Sequence, residues 1–361
     1  MVSLVSTVLN DRCGLETFFA AISAQTRTPD EIIIVVAGSK DGTWELMQSE
    51  AERRDRPWSF RAIQEPHCNV ARGRNLAIRH ASGDIIVSTD IGCSWDAGWL
   101  EELVSPLEVR TEIELVNGSW AVFRNDLRTP WALTEWALMG EQKLDATPES
   151  SSSSRSIAYR KSTWEHLGGY PEDLTLAADD AVFALLIERA DVRRAGAPIV
   201  RCYWQRHSDL TGFLKESRRY GIGDGEAAIR IKDMILIGGR LAFEVLGIAC
   251  GLLALLPMMP GSPWLGFSIL ASALISVAFK VFKMRGAVRR LAATGTSHPL
   301  LRILALSYGT KWERLRGYTT GVWRGYFHCH ETRRRLREMS PQLYRVAQDA
   351  SAIHTKSPSC H

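Results

Sequence analysis

Residues 31–43 read Glu31-Ile32-Ile33-Ile34-Val35-Val36-Ala37-Gly38-Ser39-Lys40-Asp41-Gly42-Thr43. An unbroken aliphatic run of this length is what a strand needs when both of its faces are covered, as in a parallel sheet. It ends in Gly and small polar residues, and a helix is expected from Gly42 to Arg54. A turn of this kind presents free backbone N–H groups at the carboxyl edge of the sheet, where open α/β folds bind nucleotides. Upstream, Met1 to Leu9 is a second apolar strand. Gly14 to Gln25 follows with helical spacing at Leu15, Phe18, Phe19 and Ile22, and Pro29 breaks it. Downstream come a strand at Ser59 to Gln64, a helix at Asn69 to Ala81 and a buried strand at Ile85 to Ser88. The repeated strand–helix alternation predicts a doubly wound α/β domain with a mostly parallel, Rossmann-like sheet. No G-x-G-x-x-G fingerprint is present, which argues against a nicotinamide-dependent reductase.

The remaining composition is that of a folded protein. Of 361 residues, 45% are hydrophobic and 23% charged, and the formal net charge is +4. The seven cysteines contain no C-x-x-C pair, so neither a disulfide framework nor a zinc ribbon is written into the chain. The start, Met1 to Leu9, lacks the basic opening of a signal peptide. His328-Cys329-His330 places its histidines two apart, on different faces of a helix, and predicts no metal site.

Two later segments, Val245 to Met259 and Trp264 to Phe279, are nearly uncharged and are separated by Pro260-Gly261-Ser262-Pro263. With their flanks they approach the ~20 residues of a spanning helix and predict a membrane hairpin, with helices at about 241–259 and 264–282. A buried helical hairpin of a soluble core is the alternative. The turn at Pro257 to Pro263 carries no charge, whereas both outer flanks are basic, which predicts that the α/β domain and both termini lie on the cytoplasmic side of the inner membrane. From Lys283 to Met339 there are thirteen basic residues and three acids, interleaved with Trp312, Tyr318, Trp323, Tyr326 and Phe327. This basic tail reads as an interfacial helix on anionic lipid, with a solvated surface helix as the bland reading. The neighbouring hairpin accounts for the charge better than nucleic acid does, so no nucleic-acid partner is expected.

In Ser88-Thr89-Asp90-Ile91-Gly92-Cys93 a carboxylate leaves a buried strand, where it needs a metal, a ribose hydroxyl or a cation, unless it is simply a turn or cap residue. Val70-Ala71-Arg72-Gly73-Arg74-Asn75 opens the third helix, and Gly83-Asp84-Ile85-Ile86 leads into Asp90. Further on come Ser154-Arg155-Ser156-Ile157-Ala158-Tyr159-Arg160, Gly168-Gly169-Tyr170-Pro171-Glu172 and the pair Asp179-Asp180. In this order the motifs resemble those of the family 2 glycosyltransferases over about Val2 to Gly225.

The resemblance implies a GT-A nucleotide-sugar-binding fold and inverting transfer from a nucleotide-diphosphate sugar to a lipid-linked or polysaccharide acceptor. It places the base at Asp180, with Asp179 beside it, and donor contacts at Ser6, Thr7, Ser39, Asp41, Arg72, Arg74, Asn75, Thr89, Asp90 and Arg219. A divalent metal, Mg²⁺ or Mn²⁺, falls to Asp90, with His207 as a further candidate ligand. The sequence departs from the family pattern at Val36 and Ala37, where paired acids usually end the second strand, and at Gly92, where the second acid of D-x-D usually stands. These losses leave a rival reading, a non-catalytic membrane scaffold with a degenerate nucleotide-sugar fold. The expected organisation is a catalytic domain at 1–231, a hairpin at 232–282 and a basic tail at 283–361, with the serine run Ser150 to Ser154 as a mobile loop over the site.

Overall fold

The computed structural model describes residues 1–122, 127–139, 146–175, 177–253 and 263–355. In chain order the elements begin with β1 (Val2–Val8), α1 (Arg12–Ser23), β2 (Glu31–Val36), α2 (Thr43–Glu52), β3 (Ser59–Gln64) and α3 (Val70–His80). They continue through β4 (Ile85–Ser88), β5 (Cys93–Trp95), α4 (Trp99–Val109), β6 (Leu115–Ala121), α5 (Pro130–Met139), β7 (Ile157–Arg160) and α6 (Lys161–Leu167). The remainder is α7 (Asp179–Arg189), β8 (Arg194–Trp204), α8 (Leu210–Glu226), α9 (Ile231–Leu253), α10 (Pro263–Lys283), α11 (Arg285–Ala292), α12 (Pro299–His328), α13 (His330–Glu338) and α14 (Pro341–Thr355).

The chain divides into two compact units. One combines residues 1–123, 142–205 and 324–361, and the other 124–141 and 206–323. The segment expected as a basic tail is therefore split, and its last part folds with the sheet.

The first unit is built on an eight-stranded sheet of order β3-β2-β1-β4-β7-β6-β8-β5. Strands β3, β2, β1 and β4 run parallel, and every residue of β2 is buried, as its sequence requires. Beyond β4 the sheet is mixed. β7 lies antiparallel to both β4 and β6, β6 and β8 are parallel, and β5 closes the edge antiparallel to β8. The sheet is thus parallel through β4, as expected, and mixed beyond it, where β6 and β8 are parallel again. Beneath β1 and β2 the core gathers Leu15, Phe18, Ile22, Met47, Trp95 and Trp99.

The second unit is helical. Helices α9 and α10 are long and apolar enough to cross a membrane, by length and composition. They pack through glycines: a Cβ at Gly251 would lie 2.7 Å from that of Leu270. α9 begins at Ile231, ten residues before the expected start at 241, and the apolar turn 257–262 lies outside the described residues. Glu244 and Lys280, at the outer ends of the two apolar runs, face each other. Lys280 Nζ is 2.7 Å from Glu244 Oε2, while Tyr308 and Ser276 donate to the same carboxylate at 2.8 and 3.1 Å. A second close contact joins α8 to α12. A Cβ at Gly221 would lie 2.1 Å from the Arg314 carbonyl oxygen, and one at Gly321 would lie 2.0 Å from that of Ile222. Reciprocal G-x-x-x-G pairs, Gly221/Gly225 and Gly317/Gly321, permit that approach.

Candidate active site

The site is assembled at the carboxyl edge of the parallel strands. Gly73 allows α3 to lie against β1, because a Cβ there would come within 2.8 Å of Thr7 Cγ2. Asn69 caps α3, its side chain accepting from Arg72 N at 2.8 Å. The next residue after Gly73, Arg74, is thereby driven into the protein with only 3% of its side chain exposed. Its Nη2 donates to Asp90 Oδ1 at 2.8 Å and its Nη1 to Asp179 Oδ2 at 2.6 Å, with the guanidinium over the Tyr170 ring. One buried cation thus joins the carboxylate after β4 to the carboxylate that opens α7. Burial works against the charge on Arg74, but Asp179 and Asp90 outweigh it and hold the guanidinium above its ordinary pKa.

Asp179 responds in the opposite sense. Its burial is the largest influence, Arg74 offsets part of it, and the neighbouring charges of Asp180 and Asp90 add to it, so its pKa is raised. Asp180 is a third exposed, so of the two adjacent acids it is the one that faces solvent. Both sit in the first turn of α7, where the helix dipole favours negative charge. The turn is entered through Ala178 at φ 73°, a left-handed conformation uncommon for a residue with a Cβ.

A second cation, Arg155, was quoted in the sequence reading without a role. Its guanidinium lies 3.8 Å from the Trp204 ring centroid, and Trp120 is beside it. Its Nε is 3.8 Å from Asp90 Oδ2 and its Nη1 4.0 Å from Asp180 Oδ2. Arg155 follows the serine run, which is packed in place rather than mobile. Ser152 Oγ donates to Asn117 Oδ1 at 2.7 Å, Ser88 Oγ donates to the Ser154 carbonyl at 3.1 Å, and the Ser154 and Tyr170 hydroxyls are 2.9 Å apart. Buried serines are held where their hydroxyls find partners, and composition alone does not reveal those partners.

The other expected donor residues fall into three groups. Ser6 and Thr89 are buried and hydrogen-bonded to the backbone, Ser6 to the Thr89 carbonyl and Thr89 to the Arg155 carbonyl, each at 2.8 Å. Asn75 is buried and makes four bonds: to the Tyr170 carbonyl, Glu172 Oε1, Tyr170 N and Trp164 Nε1. These three fix the architecture and do not line the site. Ser39 and Asp41 stand at the rim. Asn10 N donates to Ser39 Oγ at 2.8 Å, and Asp41 accepts from Thr43 Oγ1 at 2.5 Å and from Arg12 N at 3.2 Å. The Thr43 hydroxyl is the main reason the Asp41 carboxyl lies below its usual range. Thr7 is half-buried, and Arg72 is exposed and paired with Glu65 at 2.6 Å.

Arg219 and His207 belong to the second unit. Arg219 is exposed on α8. His207 Nε2 lies 3.6 Å from Glu216 Oε1 with its ring edge-on to Phe213, which makes it a packing residue there. Glu216 in turn holds the buried Arg206 together with Glu135.

The sequence reading also missed the C-terminal clasp. Asp173 accepts from Thr332 N at 3.0 Å and from the Thr332 hydroxyl, and its carbonyl accepts from Cys329 Sγ at 3.0 Å. Arg335 donates to the carbonyls of Leu167 and Gly169 at 2.6 Å each. Helix α13 therefore fastens the loop 168–173 that Asn75 holds from the other side.

Among the described residues no group of three His, Cys, Asp or Glu side chains could hold a metal by itself. A hard divalent cation needs less where a substrate brings its own phosphate oxygens, and one carboxylate with waters completes such a shell. Asp90 fits that requirement: its Oδ2 is outside hydrogen-bond reach of Arg155, and its side chain is 38% exposed.

A family model described as glycosyl transferase family 2 matches residues 3–161. Among curated proteins none matches the chain. Among solved structures, the mannosyltransferase PcManGT from Pyrobaculum calidifontis, in complex with GDP-Man and Mn²⁺, is similar at 20% identity. That likeness covers 99% of this chain and 88% of the other, with a TM-score of 0.48. S. aureus TarS 1–349 in complex with UDP is similar at 12% identity over 89% of this chain and 90% of that one, with a TM-score of 0.44. Likeness at this level is one of chain course, and no residue role is taken from it.

Proposed function

We propose that the chain, whose residues 3–161 match the family 2 glycosyl transferase model, is a glycosyltransferase that moves a sugar from a nucleotide-diphosphate donor to an acceptor hydroxyl with inversion. The observation that carries this reading is the bridge Asp90–Arg74–Asp179, which fixes the carboxylate after β4 against the start of α7 and leaves Asp180 beside it at the surface. Asp180 is the base. It takes the proton of the acceptor hydroxyl as the oxygen bonds to the anomeric carbon and the bond from that carbon to the diphosphate breaks, releasing the nucleoside diphosphate. Asp179 is a positioning residue, tied to Arg74 and unavailable to an acceptor. Arg155, held on two indoles near Asp90, offers a guanidinium to the diphosphate. Asp90 would hold a divalent cation, which when bound neutralises the leaving group.

The acceptor in this reading is lipid-linked or a growing saccharide, presented at the cytoplasmic membrane face. Its support is the pair of apolar helices α9 and α10 with basic residues at their outer flanks. The test is release of nucleoside diphosphate from UDP-, GDP-, dTDP- and CDP-sugars by the detergent-purified chain, with Mn²⁺, Mg²⁺ or EDTA. Turnover of one donor, lost in both Asp180→Asn and Asp90→Ala, supports the reading. Full turnover in Asp180→Asn refutes the assignment of the base.

A further inference from the structure

Where α8 turns into α9 the second unit holds a cavity of about 490 Å³ that no step of the transfer uses. Its basic lining is Arg230 from the turn, Arg240 from α9 and Arg314 from α12, and its apolar lining includes Met234 and Ile237. Two of the three guanidiniums are tied down by one carboxylate, and Arg240 stands exposed on α9. Asp224, buried on α8, accepts from Arg314 Nη2 at 2.5 Å and Nε at 3.2 Å, and from Arg230 Nη1 at 3.4 Å. Arg230 takes φ 55° and Ala228 the same value, so the turn is held in a left-handed conformation that a residue with a Cβ adopts only when its surroundings fix it. On α9, Asp233, Ile237 and Arg240 lie at i, i+4 and i+7 and share one face.

Positive charge exceeds negative here. Lys311 stands one turn before Arg314 on α12, half-buried, and its nearest hydrogen-bond partner is Ser307 Oγ at 3.3 Å. Burial first, and then the like charges of Lys280 and Arg240, lower its pKa against the opposing charge of Glu244. At the pocket Arg230, Arg240 and Arg314 face two carboxylates, Asp224 and Asp233, an excess of one, and Lys311 beyond them faces Glu244 as well. Beside the pocket α9 continues as exposed apolar surface at Ile235, Leu236, Phe243 and Leu246. A pocket with three guanidiniums that opens directly onto such a surface fits a ligand whose compact head offers three terminal phosphate oxygens and whose tail is hydrocarbon.

We propose that this pocket binds the phosphate-monoester headgroup of a membrane lipid, with the guanidiniums of Arg230, Arg240 and Arg314 around the phosphate and the acyl chains along α9. The proposal rests on the membrane reading of α9 and α10 and not on the identity of donor or acceptor. Arg314 and Arg230 are held ready by Asp224, so little side-chain order is lost on binding, and their fork geometry suits phosphate oxygens.

The test is flotation of the full chain with vesicles of phosphatidylcholine alone, with added phosphatidylglycerol, or with added phosphatidic acid. Expected is partition in the order phosphatidic acid, phosphatidylglycerol, phosphatidylcholine. The preference for phosphatidic acid should fall about five-fold in Arg240→Gln and again in Arg230→Gln/Arg240→Gln, while Arg289→Gln, an exposed arginine outside the pocket, keeps it. Equal binding to the two anionic lipids, or equal loss of the preference in Arg289→Gln, overturns the proposal in favour of general surface charge. Failure to float with any vesicle overturns the membrane reading. The pocket is then judged by calorimetry with a soluble short-chain phosphatidic acid, where binding lost in Arg240→Gln supports the site and no binding overturns it. Displacement of the lipid by inorganic phosphate alone at equal concentration overturns the lipid assignment.

Discussion

Replacing Arg74 by Gln tests the centre of the site without touching a group assigned to proton transfer. The substitution removes one guanidinium that two carboxylates share, at 2.6 and 2.8 Å. Asp90 is 38% exposed and regains water, whereas the Asp179 side chain is 14% exposed and is left as a buried charge without its cation. Breaking one side of a buried ion pair costs roughly 3–5 kcal/mol, and because Asp179 keeps some access to water the lower end, about 3 kcal/mol, is expected. The loss should depend on pH. Burial already raises Asp179 above its ordinary value, and without Arg74 that rise loses its main opposition. A carboxyl whose folded pKa exceeds its unfolded value contributes stability below the unfolded pKa, near 4, and loses it as pH rises through the folded value. The variant should therefore differ least from the parent near pH 4 and most at pH 7 and above. Denaturant unfolding followed by tryptophan fluorescence at several pH values reads this directly. Arg74→Gln/Asp179→Asn should recover most of the loss at pH 7, since the buried charge is then gone from both sides. A loss under 1 kcal/mol, a loss independent of pH, or a double variant as unstable as the single one would each refute the placement of Arg74 as the cation that pays for burying Asp179.

Three further outcomes are expected. Gly92→Asp should fold normally, since a Cβ there meets nothing within 4 Å, and it should lower the Mn²⁺ concentration needed for half-maximal turnover by supplying a second carboxylate near Asp90; an unchanged metal titration counts against Asp90 as the ligand. Gly221→Val should lower the unfolding midpoint of α8 and α12 far more than Gly239→Ala, with a cost at or beyond the usual 1–3 kcal/mol of overpacking, because its Cβ would meet the Arg314 carbonyl oxygen at 2.1 Å, whereas Gly239 faces open space. Amide protection factors in α14, referred to the intrinsic rate at each pH, should fall as pH drops below about 4.5. Burial pushes Glu114 up, but Arg193 and Tyr344 outweigh it and hold its pKa down, so its docking of Tyr344 is present above that pH and lost in acid; protection factors that do not change with pH would show that Glu114 is not what holds the helix.

The parts that sequence made legible are those with local causes. Glu31 to Val36 could only be a doubly covered strand, Gly42 sits at φ 84° where its turn requires glycine, and Asn69, the expected start of α3, is its cap, so the helix begins one residue later at Val70. The motif order placed Asp90, Arg74 and Asp179 in one site, but nothing local could show that Arg74 would bridge the other two, or that Asn75, its neighbour, would be turned fully inward to hold a loop 95 residues away. Arg155 went unassigned because its place depends on Trp120 and Trp204, which come from separate strands. The same lack of a visible partner misled the reading of the serine run, where hydroxyls that look solvent-loving in composition are engaged by Asn117 and Tyr170.

The basic C-terminal stretch makes the point most sharply. Thirteen cations between Lys283 and Met339 read as one electrostatic object facing a membrane, yet they act in several unrelated ways. Arg314 joins Asp224 on a helix that approaches α8 through glycines, Arg290 donates to the Ala137 carbonyl at 2.7 Å, and Arg335 clasps the loop of the sheet unit. A guanidinium in sequence carries only its charge, whereas its function follows from which carbonyl or carboxylate the fold brings to it. That is why the glycine pairs at 221/225 and 317/321 were the better clue in this region. Neither pair means anything alone, but two of them on helices of similar polarity specify a contact close enough for backbone atoms to touch, and that contact carries Arg314 to Asp224 and so to the pocket beside α9.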